Sequence, residues 1–598
     1  MSDERLEGEL RALFEEDAPA TAPASLRQHA AELGRRAPAA TGGRRPLSLV
    51  AVLGSIAVVA AVVTIALLTL PRQGPVPGSP APVAPSPTVG ATNERSASPA
   101  SSPSPTPIPI TAPTWSFRLA SPGTLTPVLG ADGSTYVATS PGGKTGQGKV
   151  YALDAAGRVK AGWPFAPAGI AAFATPAVAT DGTVYALGWA WGRTAPQAAG
   201  TNAATLWALD PHGRVKPGWP QPVDGSPFMG DGGGLVVRPA GGVIYTEGLA
   251  AGGSSTYRAV ALDANGRSVP GWPVSLPGGP LCYGGDPCEI GRVGTNGVWY
   301  ALVQLGQGPG SEIVALRPDG TPAAGWPVQV AGGEGLLLGA DGTVYAWGFD
   351  TNGVRPPSGV PKIVRTRFLE IDPDGRLRPG WPVTLDGPVS IPALGRDGTL
   401  YATTGGEVGQ VQRIVALSSD GIERAGWPYT LPSDLTVYPY SPAEGLPART
   451  TGPSVGPDGM VYVPVYRTGQ LGSAAQALLA IAPSGTVAAG WPVWLPAGAR
   501  FGNVGEFATG GGGQLVQPAF GSDGTIYVPV DQPTTTAGVV MAVDSSGREP
   551  SGWPLAAPAG SHGPSHVIAV RLVPQLGLVL TTLTDFGNSA IVSRVPIP

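Results

Sequence analysis

The sequence is poor in charged residues, in histidine and in cysteine. Lys, Arg, Asp and Glu make up 13% of the 598 residues, about half of the usual share. The 37 basic and 41 acidic residues give a net charge of −4, and only one short stretch is strongly basic, so we expect no nucleic-acid partner. Four histidines and two cysteines leave few ligands for a transition-metal site.

Glycine and proline are abundant by contrast, with 90 and 68 residues. This content is typical of low-complexity chains unless the glycines recur with a period. They do recur here. We therefore expect most of the chain to be folded and rich in turns.

The N-terminal part of the chain contains a charged segment and a proline-rich one. Residues 1–45 are charged and Ala-rich, and two short apolar stripes predict a tail with short helices. Such a helix can dock on a partner protein or lie on a membrane surface, and a marginal terminal helix is the alternative. Residues 71–113 consist mainly of Pro, Ser, Ala and Thr and are expected to form an extended stalk.

Between tail and stalk, residues 46–70 are predicted to form a transmembrane helix. Residues 47–70 are 24 uncharged positions, enough to cross a hydrocarbon core of ~30 Å at roughly 1.5 Å per residue. A cleaved signal peptide would have a shorter apolar run nearer the start. Four arginines precede the run and one follows it closely. The positive-inside rule then predicts a single-pass cell-membrane protein with a cytoplasmic N-terminus and residues 114–598 outside the cytoplasm.

From residue 114 onward one pattern returns every 46 to 64 residues. An apolar run that closes on a turn, as in YALDAAGR and VALDANGR, precedes a Gly-Trp-Pro signature. A second turn followed by a strand, as in TDGTVYAL, lies earlier in each unit, and Asp-Gly turns of this kind are strong hairpin signals. Each unit is therefore predicted to hold four short antiparallel strands. The tryptophans of the signature are Trp163, Trp219, Trp272, Trp326, Trp381, Trp427, Trp491 and Trp553.

Eight such units predict an all-β fold, a β-propeller whose four-stranded blades bury their faces against one another. One tryptophan at a fixed place in each blade suits a structural role, because the flat ring can fill the wedge between adjacent sheets. Aromatic residues of a single ligand cage would have to converge, which one residue per blade cannot do.

The two ends of the repeat region leave the number of blades open. Residues 566–595 resemble the first three strands of another unit, without a following Gly-Trp-Pro. Trp115 in WSFRL resembles a fourth strand with nothing before it. If the first strand completes a blade built by the last three, the ring has nine blades. Otherwise it has eight complete repeats.

The repeat resembles the PQQ-like, or quinoprotein-type, propeller repeats, which have Ala-Leu-Asp, Gly and Trp near the end of each blade. The resemblance covers residues 114–598 and implies a propeller, but a fold does not carry a function. Quinoprotein alcohol dehydrogenases of this family hold the quinone against a disulfide of adjacent cysteines, beside a calcium ion. This chain has no adjacent cysteines. We therefore expect no cofactor, and PQQ with calcium belongs only to the alternative in which the chain is such an enzyme.

The two cysteines, Cys282 and Cys288, lie in a loop rich in Gly and Pro. Outside the cytoplasm we expect them to form a local disulfide. A redox pair or a metal site is the alternative, although no histidine lies nearby to complete a metal site.

Motifs of catalysis are missing from the sequence. His212 occupies a turn position, while His562 and His566 share a Gly-Ser-Pro loop and could form a minor site. The sequence has no nucleophile elbow, phosphate loop or His-Glu-x-x-His motif. Turns such as the one from Asp372 to Gly375 lack the long loop and final Glu of a helix-loop-helix calcium site. We therefore assign no catalytic and no metal-binding residue.

Binding is expected on one face of the disc. In a four-stranded blade the first and third turns share a face, and the loops of variable length lie on the other. Variable loops on a rigid scaffold are where binding usually resides, and exposed aromatic and Arg side chains are common anchors. Packing within their own loops is the alternative role for these side chains. The insertion at 349–367 lies on this face, and the candidate residues are Trp189, Trp191, Tyr283, Tyr438, Tyr440, Arg449, Arg500, Phe501 and Phe507.

Three functions agree with these patterns. The first is a non-enzymatic module, with a sensory role for the tail, that binds an envelope protein or glycan. The second is an enzyme, either a quinone-dependent dehydrogenase or a lyase or hydrolase of cell-envelope polymer. It predicts that Arg292, Arg396 and Gln517 meet carboxylates at the central channel. The third is a scaffold disc that needs only its shape.

Overall fold

The computed structural model describes the following residues: 114–119, 127–140, 146–190, 204–227, 234–251, 254–280, 291–306, 310–351, 363–404, 411–437, 452–467, 475–502, 517–531, 538–557, 565–573, 577–584 and 589–597. Within these ranges the chain forms strands, turns and bends but no helix. A helix able to cross a membrane is accordingly not found among them. The predicted tail, transmembrane helix and stalk lie before residue 114, outside the described ranges.

The strands of these ranges form nine antiparallel sheets, which are the blades of the propeller. The first four blades after β1 (Trp115–Leu119) follow one another along the chain. Blade 1 comprises β2 (Val128–Leu129), β3 (Thr135–Ala138) and β4 (Val150–Leu153). Blade 2 comprises β5 (Ala172–Phe173), β6 (Ala177–Val178), β7 (Val184–Trp189), β8 (Ala204–Leu209) and β9 (Gln221–Val223). Blade 3 comprises β10 (Ser226–Pro227), β11 (Val236–Val237), β12 (Val243–Ala251), β13 (Ser254–Leu262) and β14 (Val274–Leu276). Blade 4 comprises β15 (Gly279–Pro280), β16 (Arg292–Val293), β17 (Trp299–Gln304), β18 (Ser311–Leu316) and β19 (Val328–Gln329).

The remaining blades continue the same order. Blade 5 comprises β20 (Gly333–Leu338), β21 (Val344–Thr351), β22 (Ile363–Ile371) and β23 (Val383–Asp386). Blade 6 comprises β24 (Ala393–Leu394), β25 (Leu400–Thr404), β26 (Arg413–Leu417) and β27 (Tyr429–Thr430). Blade 7 comprises β28 (Leu435–Val437), β29 (Ser454–Val455), β30 (Val461–Arg467), β31 (Gln476–Ile481) and β32 (Val493–Trp494). Blade 8 comprises β33 (Arg500–Phe501), β34 (Ala519–Phe520), β35 (Ile526–Asp531), β36 (Val539–Val543) and β37 (Leu555–Ala556). Blade 9 comprises β38 (His566–Val573), β39 (Gly577–Thr584), β40 (Ser589–Val595) and β1.

Strands from both ends of the repeat region build blade 9. β1 pairs with β40 as its fourth strand, so that Trp115 lies opposite Arg594 and Leu119 lies opposite Ala590. Ring closure by the first strand is thereby confirmed. Of the two counts that the sequence left open, nine is correct and eight is wrong, because the split blade is a full member of the ring.

The first strand of each blade lies nearest the axis of the ring. First strands of successive blades lie against each other, as β2 and β6, β6 and β11, and β11 and β16 do. Sheets that fan around an axis approach each other most closely at their inner edges, so the first strand is innermost and the fourth is outermost.

Tight turns close one end of each blade, which we call the turn end. In the turn after the first strand of blade 2, Asp181 accepts hydrogen bonds from the backbone N–H and the hydroxyl of Thr183, both at 2.9 Å. In the turn after the third strand, Asp210 accepts the backbone N–H groups of His212 and Arg214, also at 2.9 Å. These carboxylates therefore stabilise the turns by accepting hydrogen bonds within them. We call the opposite end of the blades the loop end.

Adjacent blades interlock at the turn end through two glycines and a tryptophan. Gly162 precedes Trp163, Gly213 lies in the turn of the next blade, and both have positive φ, at 87° and 77°. A Cβ at Gly162 would overlap the carbonyl oxygen of His212, and one at Gly213 would lie 2.6 Å from the carbonyl oxygen of Gly162. The indole Nε1 of Trp163 donates to the carbonyl of Pro211 in that turn at 3.2 Å. Only glycine fits both backbone positions.

The same indole bond recurs around the ring. Each donor reaches the turn of the following blade at 3.1–3.3 Å, and the donors are Trp219, Trp272, Trp326, Trp381, Trp427 and Trp491. Trp115 makes the equivalent bond from blade 9 to Ala155 of blade 1, at 3.1 Å. The eight Trp–Pro peptide bonds are cis.

The core is a series of apolar wedges between blades. Trp219 is 7% exposed and packs with Val223 of its own blade and with Val243 and Tyr245 of blade 3. Its ring meets Tyr185 edge-on, with 5.7 Å between the ring centroids. Such aromatic pairs contribute about 0.5–1.5 kcal/mol beyond their buried area. Each blade therefore depends on its neighbours for its hydrophobic core.

Candidate binding face

The loop end of the blades differs from one blade to the next, whereas the turn end repeats. In blades 2, 3, 4, 7 and 8 the innermost strand is divided into two pieces that pair with the same second strand, as β15 and β16 both pair with β17. The chain leaves the sheet between the two pieces, for example at 281–291. The longest interruptions of the repeat therefore start and end at the inner edge of the sheets, beside the axis.

Most of the predicted binding residues belong to these interruptions. The disulfide between Cys282 and Cys288 and a site at His562 stay predictions, because these residues lie outside the described ranges. The residues that lie outside the described ranges are Trp191, Cys282, Tyr283, Cys288, Tyr438, Tyr440, Arg449, Phe507 and His562.

The three predicted binding residues that the structure describes have different surroundings. Trp189 is half-buried and packs against the apolar wedge between blades 2 and 3. Phe501 is 5% exposed and lies in the wedge between blades 7 and 8, so its ring fills the core. Arg500 is exposed and lies opposite Asp531 in the pairing of β33 with β35.

The insertion at 349–367 proves to be partly strand. Residues up to Thr351 continue β21 and residues from Ile363 belong to β22, and the two strands pair through a register shift. β12 and β13 of blade 3 pair over nine residues each and are extended in the same way. Blades 3 and 5 therefore have longer central hairpins than their neighbours, which local turn signals did not predict.

The residues expected at the central channel lie in different places. Arg292 is on the innermost strand of blade 4 and is exposed. Gln517 accepts a hydrogen bond from the hydroxyl of Ser454 in the neighbouring blade at 2.9 Å. Arg396 lies in the turn between β24 and β25, at the turn end, so its assignment to the channel was wrong.

A buried ion pair strengthens the loop end of blade 3. Glu247 is fully buried and accepts a hydrogen bond from Nε of Arg258 at 2.5 Å and one from the backbone of Gly225 at 2.8 Å. Arg258 also pairs with Asp224 at 2.9 Å. Asp224 and Gly225 immediately precede the divided innermost strand of this blade, so the ion pair fixes its starting point. Burial, with the carboxylate of Glu247 adding to it, raises the pKa of Tyr245.

A second buried carboxylate lies in blade 5, toward the turn end. Glu370 is fully buried and its pKa is raised by burial, while the nearby Arg378 acts in the opposite direction. Arg378 pairs with Glu370 and with Asp372, both at 2.6 Å. The pKa of Arg378 is raised, chiefly by its hydrogen bond to Asp372. Sister blades have Ala at the position of Glu370, for example Ala315 and Ala416.

His566 meets a carboxylate across a blade boundary. Its Nδ1 lies 3.2 Å from Oδ2 of Asp531, which joins the innermost strand of blade 9 to the second strand of blade 8. His212 is in the turn after the third strand of blade 2, as the sequence indicated. In the described ranges, no group of three His, Cys, Asp or Glu side chains could hold a metal ion. The described residues therefore supply no set of carboxylates that would fit the calcium of a quinone site.

An arginine and a tryptophan that the sequence analysis missed lie together at the loop end of blade 7. The guanidinium carbon of Arg467 lies 4.8 Å from the ring centroid of Trp494, a cation–π contact. Arg467 is exposed and Trp494 is half-buried. Trp494 lies opposite Ala477 in β31, where blades 5 and 6 have Arg367 and Arg413. The sequence signal for this pair was a departure from the repeat within a strand, and not in a loop of variable length.

Comparison with known proteins finds only distant structural similarities. No family model and no curated protein matches the chain. A eukaryotic initiation factor is similar at 10% identity and a TM-score of 0.42, over 73% of this chain and 89% of that one. Hydrazine synthase from Kuenenia stuttgartiensis follows at 14% identity and 0.32, over 59% and 97%. A quinoprotein alcohol dehydrogenase-like protein from Bacteroides thetaiotaomicron is similar at 10% and 0.30, over 67% and 92%. The nine sheets define the chain as a β-propeller, and these similarities say nothing about its function.

Proposed function

We propose that this protein is a non-enzymatic binding module that takes its ligand at the loop end of the propeller. The observation that supports this most is the contrast between the two ends of the blades. At the turn end, the glycine pair and the indole bond recur in blade after blade. Toward the loop end, five innermost strands are divided and two hairpins are extended. A rigid ring with one variable face is the arrangement in which loops commonly carry binding.

The charges at the loop end support a ligand with polar or anionic groups. Arg413, Arg467 and Arg500 are exposed at loop-end strand termini, and Arg367 is exposed within β22. Arginine and exposed aromatic rings are the side chains that most often anchor a partner. Envelope glycans and envelope proteins both offer groups that such a surface can bind.

The proposal also includes a membrane anchor. Residues 46–70 would cross the membrane once, and residues 71–113 would connect that helix to a propeller outside the cytoplasm. The support comes from the sequence, in the uncharged run and in the arginines that precede it. A signalling role of residues 1–45 would follow from the same topology.

Thermal melting of the full-length protein in a neutral detergent tests the binding function. A ligand at ~100 times its Kd stabilises the folded state by ~2.7 kcal/mol, which gives a clear upward shift of Tm. We expect a shift with envelope polysaccharides or envelope proteins, and none with PQQ plus Ca²⁺. A shift with PQQ plus Ca²⁺ would show an enzyme instead. No shift with any of these would contradict the binding function.

A further inference from the structure

We propose that Arg467 and Trp494 form a subsite that binds the carboxylate of an acidic glycan. This inference rests on the proposed binding function and gives it a location and a class of ligand. The subsite lies at the loop end of blade 7, where β30 ends at Arg467 and the outermost strand β32 ends at Trp494.

The repeats themselves show that the fold does not need Trp494. The residue three positions after the blade tryptophan is Thr384 in blade 5 and Thr430 in blade 6, and both are exposed. The other sister blades have small or polar residues at this place, namely Ala166, Pro222, Ser275, Gln329 and Ala556. A half-buried tryptophan therefore stands where the sister strands have small or polar side chains, and aromatic side chains of this kind often anchor ligands.

The structure makes room for this ring. Trp494 lies opposite Ala477 in the ladder, while the same place in blades 3 to 6 holds a long charged side chain. The charge comes instead from Arg467 on the second strand, and its guanidinium lies over the indole. Trp494 and Arg467 thus both depart from the repeat, and the small Ala477 leaves space for the contact between them.

The Arg467 guanidinium can bind an anion while it contacts Trp494. A guanidinium has several N–H donors, and two of them can bind both oxygens of a carboxylate while an aromatic ring lies beside the group. Arg258, Arg378 and Arg424 already hold carboxylates of this chain. In the part of the chain that the structure describes, Arg467 has no carboxylate partner. It is therefore the arginine best placed to take one from a ligand.

Aromatic surface beside the arginine favours a sugar acid over a simple anion. Tyr429, at the outer edge of blade 6, and Trp494 are half-buried on the same wedge between blades 6 and 7. The C–H groups of a pyranose ring carry partial positive charge and pack against the electron-rich faces and edges of such rings. A uronic acid supplies both a pyranose ring and a carboxylate, and it matches both parts of the subsite.

The test measures binding of a galacturonic acid hexamer to the full-length protein by calorimetry. The methyl ester of the same hexamer, which has no charge, is the matched ligand. We expect R467Q to weaken binding of the acid roughly tenfold or more, since a hydrogen bond to a charged group is lost. W494T should weaken it as well, without lowering Tm, because Thr384 and Thr430 fill the same place in folded blades. R376Q is the control, since Arg376 is exposed at the turn end of blade 5, away from the proposed binding face.

Three results would overturn the subsite. Equal binding of the acid by the wild type, R467Q and W494T would place the glycan elsewhere on the propeller and leave the binding function intact. Equal affinity of the wild type for the acid and its methyl ester would exclude carboxylate recognition. Binding of polyglutamate, but not of the hexamer, in an R467Q-sensitive manner would make the ligand an acidic peptide. The melting experiment with envelope material tests the binding function separately.

Discussion

Gly162 and Gly213 lie backbone to backbone across the boundary between blades 1 and 2: a side chain on Gly213 would need the space of Gly162, and one on Gly162 would need the space of His212, which precedes Gly213. Both have positive φ, and a Cβ on either one would meet the main chain of the other blade. The glycine before each tryptophan and the glycine of each third turn therefore form one contact. Their joint recurrence in the sequence has this steric origin.

Replacing Gly162 by Ala should destabilise the propeller more than replacing Gly169 by Ala. Both glycines have positive φ, at 87° and 78°, so both changes carry a conformational cost of about 1–2 kcal/mol. Only Gly162 adds a steric clash, because nothing lies within 4 Å of a Cβ at Gly169. Denaturant midpoints of the two variants measure the difference. Equal midpoints would show that the blade contact contributes nothing.

Trp219→Phe should cost more stability than Trp553→Phe. Trp219 donates to the carbonyl of Ala264 at 3.1 Å, and an unsatisfied buried polar group costs about 1–3 kcal/mol. Trp553 is equally buried, at 7% exposure, but its indole makes no such bond to the described residues. The W553F variant thus reports the loss of ring volume alone. Thermal unfolding compares the two, and a larger loss for W553F would refute the role of the indole bond.

Arg258→Leu should destabilise blade 3 strongly, and the double variant R258L/E247L should recover much of the loss. The single change leaves the fully buried Glu247 without its cation, at a cost of about 3–5 kcal/mol. An apolar residue fits at position 247, because the strand register of blade 4 has the apolar Val303 at this place. Urea unfolding of the wild type and both variants measures the recovery. A double variant less stable than R258L would contradict this account.

Lys160→Met should weaken the protein at pH 6 more than at pH 3. Burial would by itself raise the pKa of Asp132, but hydrogen bonds from Lys160 and Ser134 outweigh it and lower the pKa from 3.8 to about 2. A lowered pKa stabilises the fold above the unfolded value near 3.8, and this contribution is lost as the pH falls toward 2. Asp132 is 53% exposed, so solvent screening keeps the effect small.

Thermal melting of K160M and the wild type at both pH values measures the effect. D132N is the control, because it removes the titrating group. In the D132N background the K160M change should have the same effect at both pH values. A K160M deficit that did not shrink toward pH 3 would show that Lys160 acts through packing alone.

The architecture could be predicted from the sequence because each blade carries its own local signals. Asp-Gly turns, alternating apolar residues and the tryptophan are short-range patterns, and Trp115 revealed the closing strand by matching one of them. The number of blades depended on pairing between Trp115 and Arg594, which no local pattern fixes. The divided innermost strands were missed for the same reason. β15 and β16 contain two residues each. They are recognised as pieces of one divided strand only because both pair with β17.

The binding face was harder to predict. Long loops with conspicuous aromatic residues indicated Phe501 as a binding residue, but its ring is buried between blades. Trp494 and Arg467 lie at strand ends, within the regular part of the repeat. Aligning the units position by position would have found both, since a tryptophan stands where seven sister blades have small or polar residues.

Closure of the ring by β1 and β40 also sets the order in which the protein can finish folding during synthesis. Arg594 donates to the carbonyl of Ala155, 439 residues earlier, at 2.7 Å. At ~5–20 residues per second, β1 waits for tens of seconds before its partner strand leaves the ribosome. Throughout that time blade 1 lacks its neighbour on one side, and an unpaired edge strand and an apolar wedge stay open to the solvent. A nascent chain of this protein therefore needs protection from aggregation until its last residues have been made.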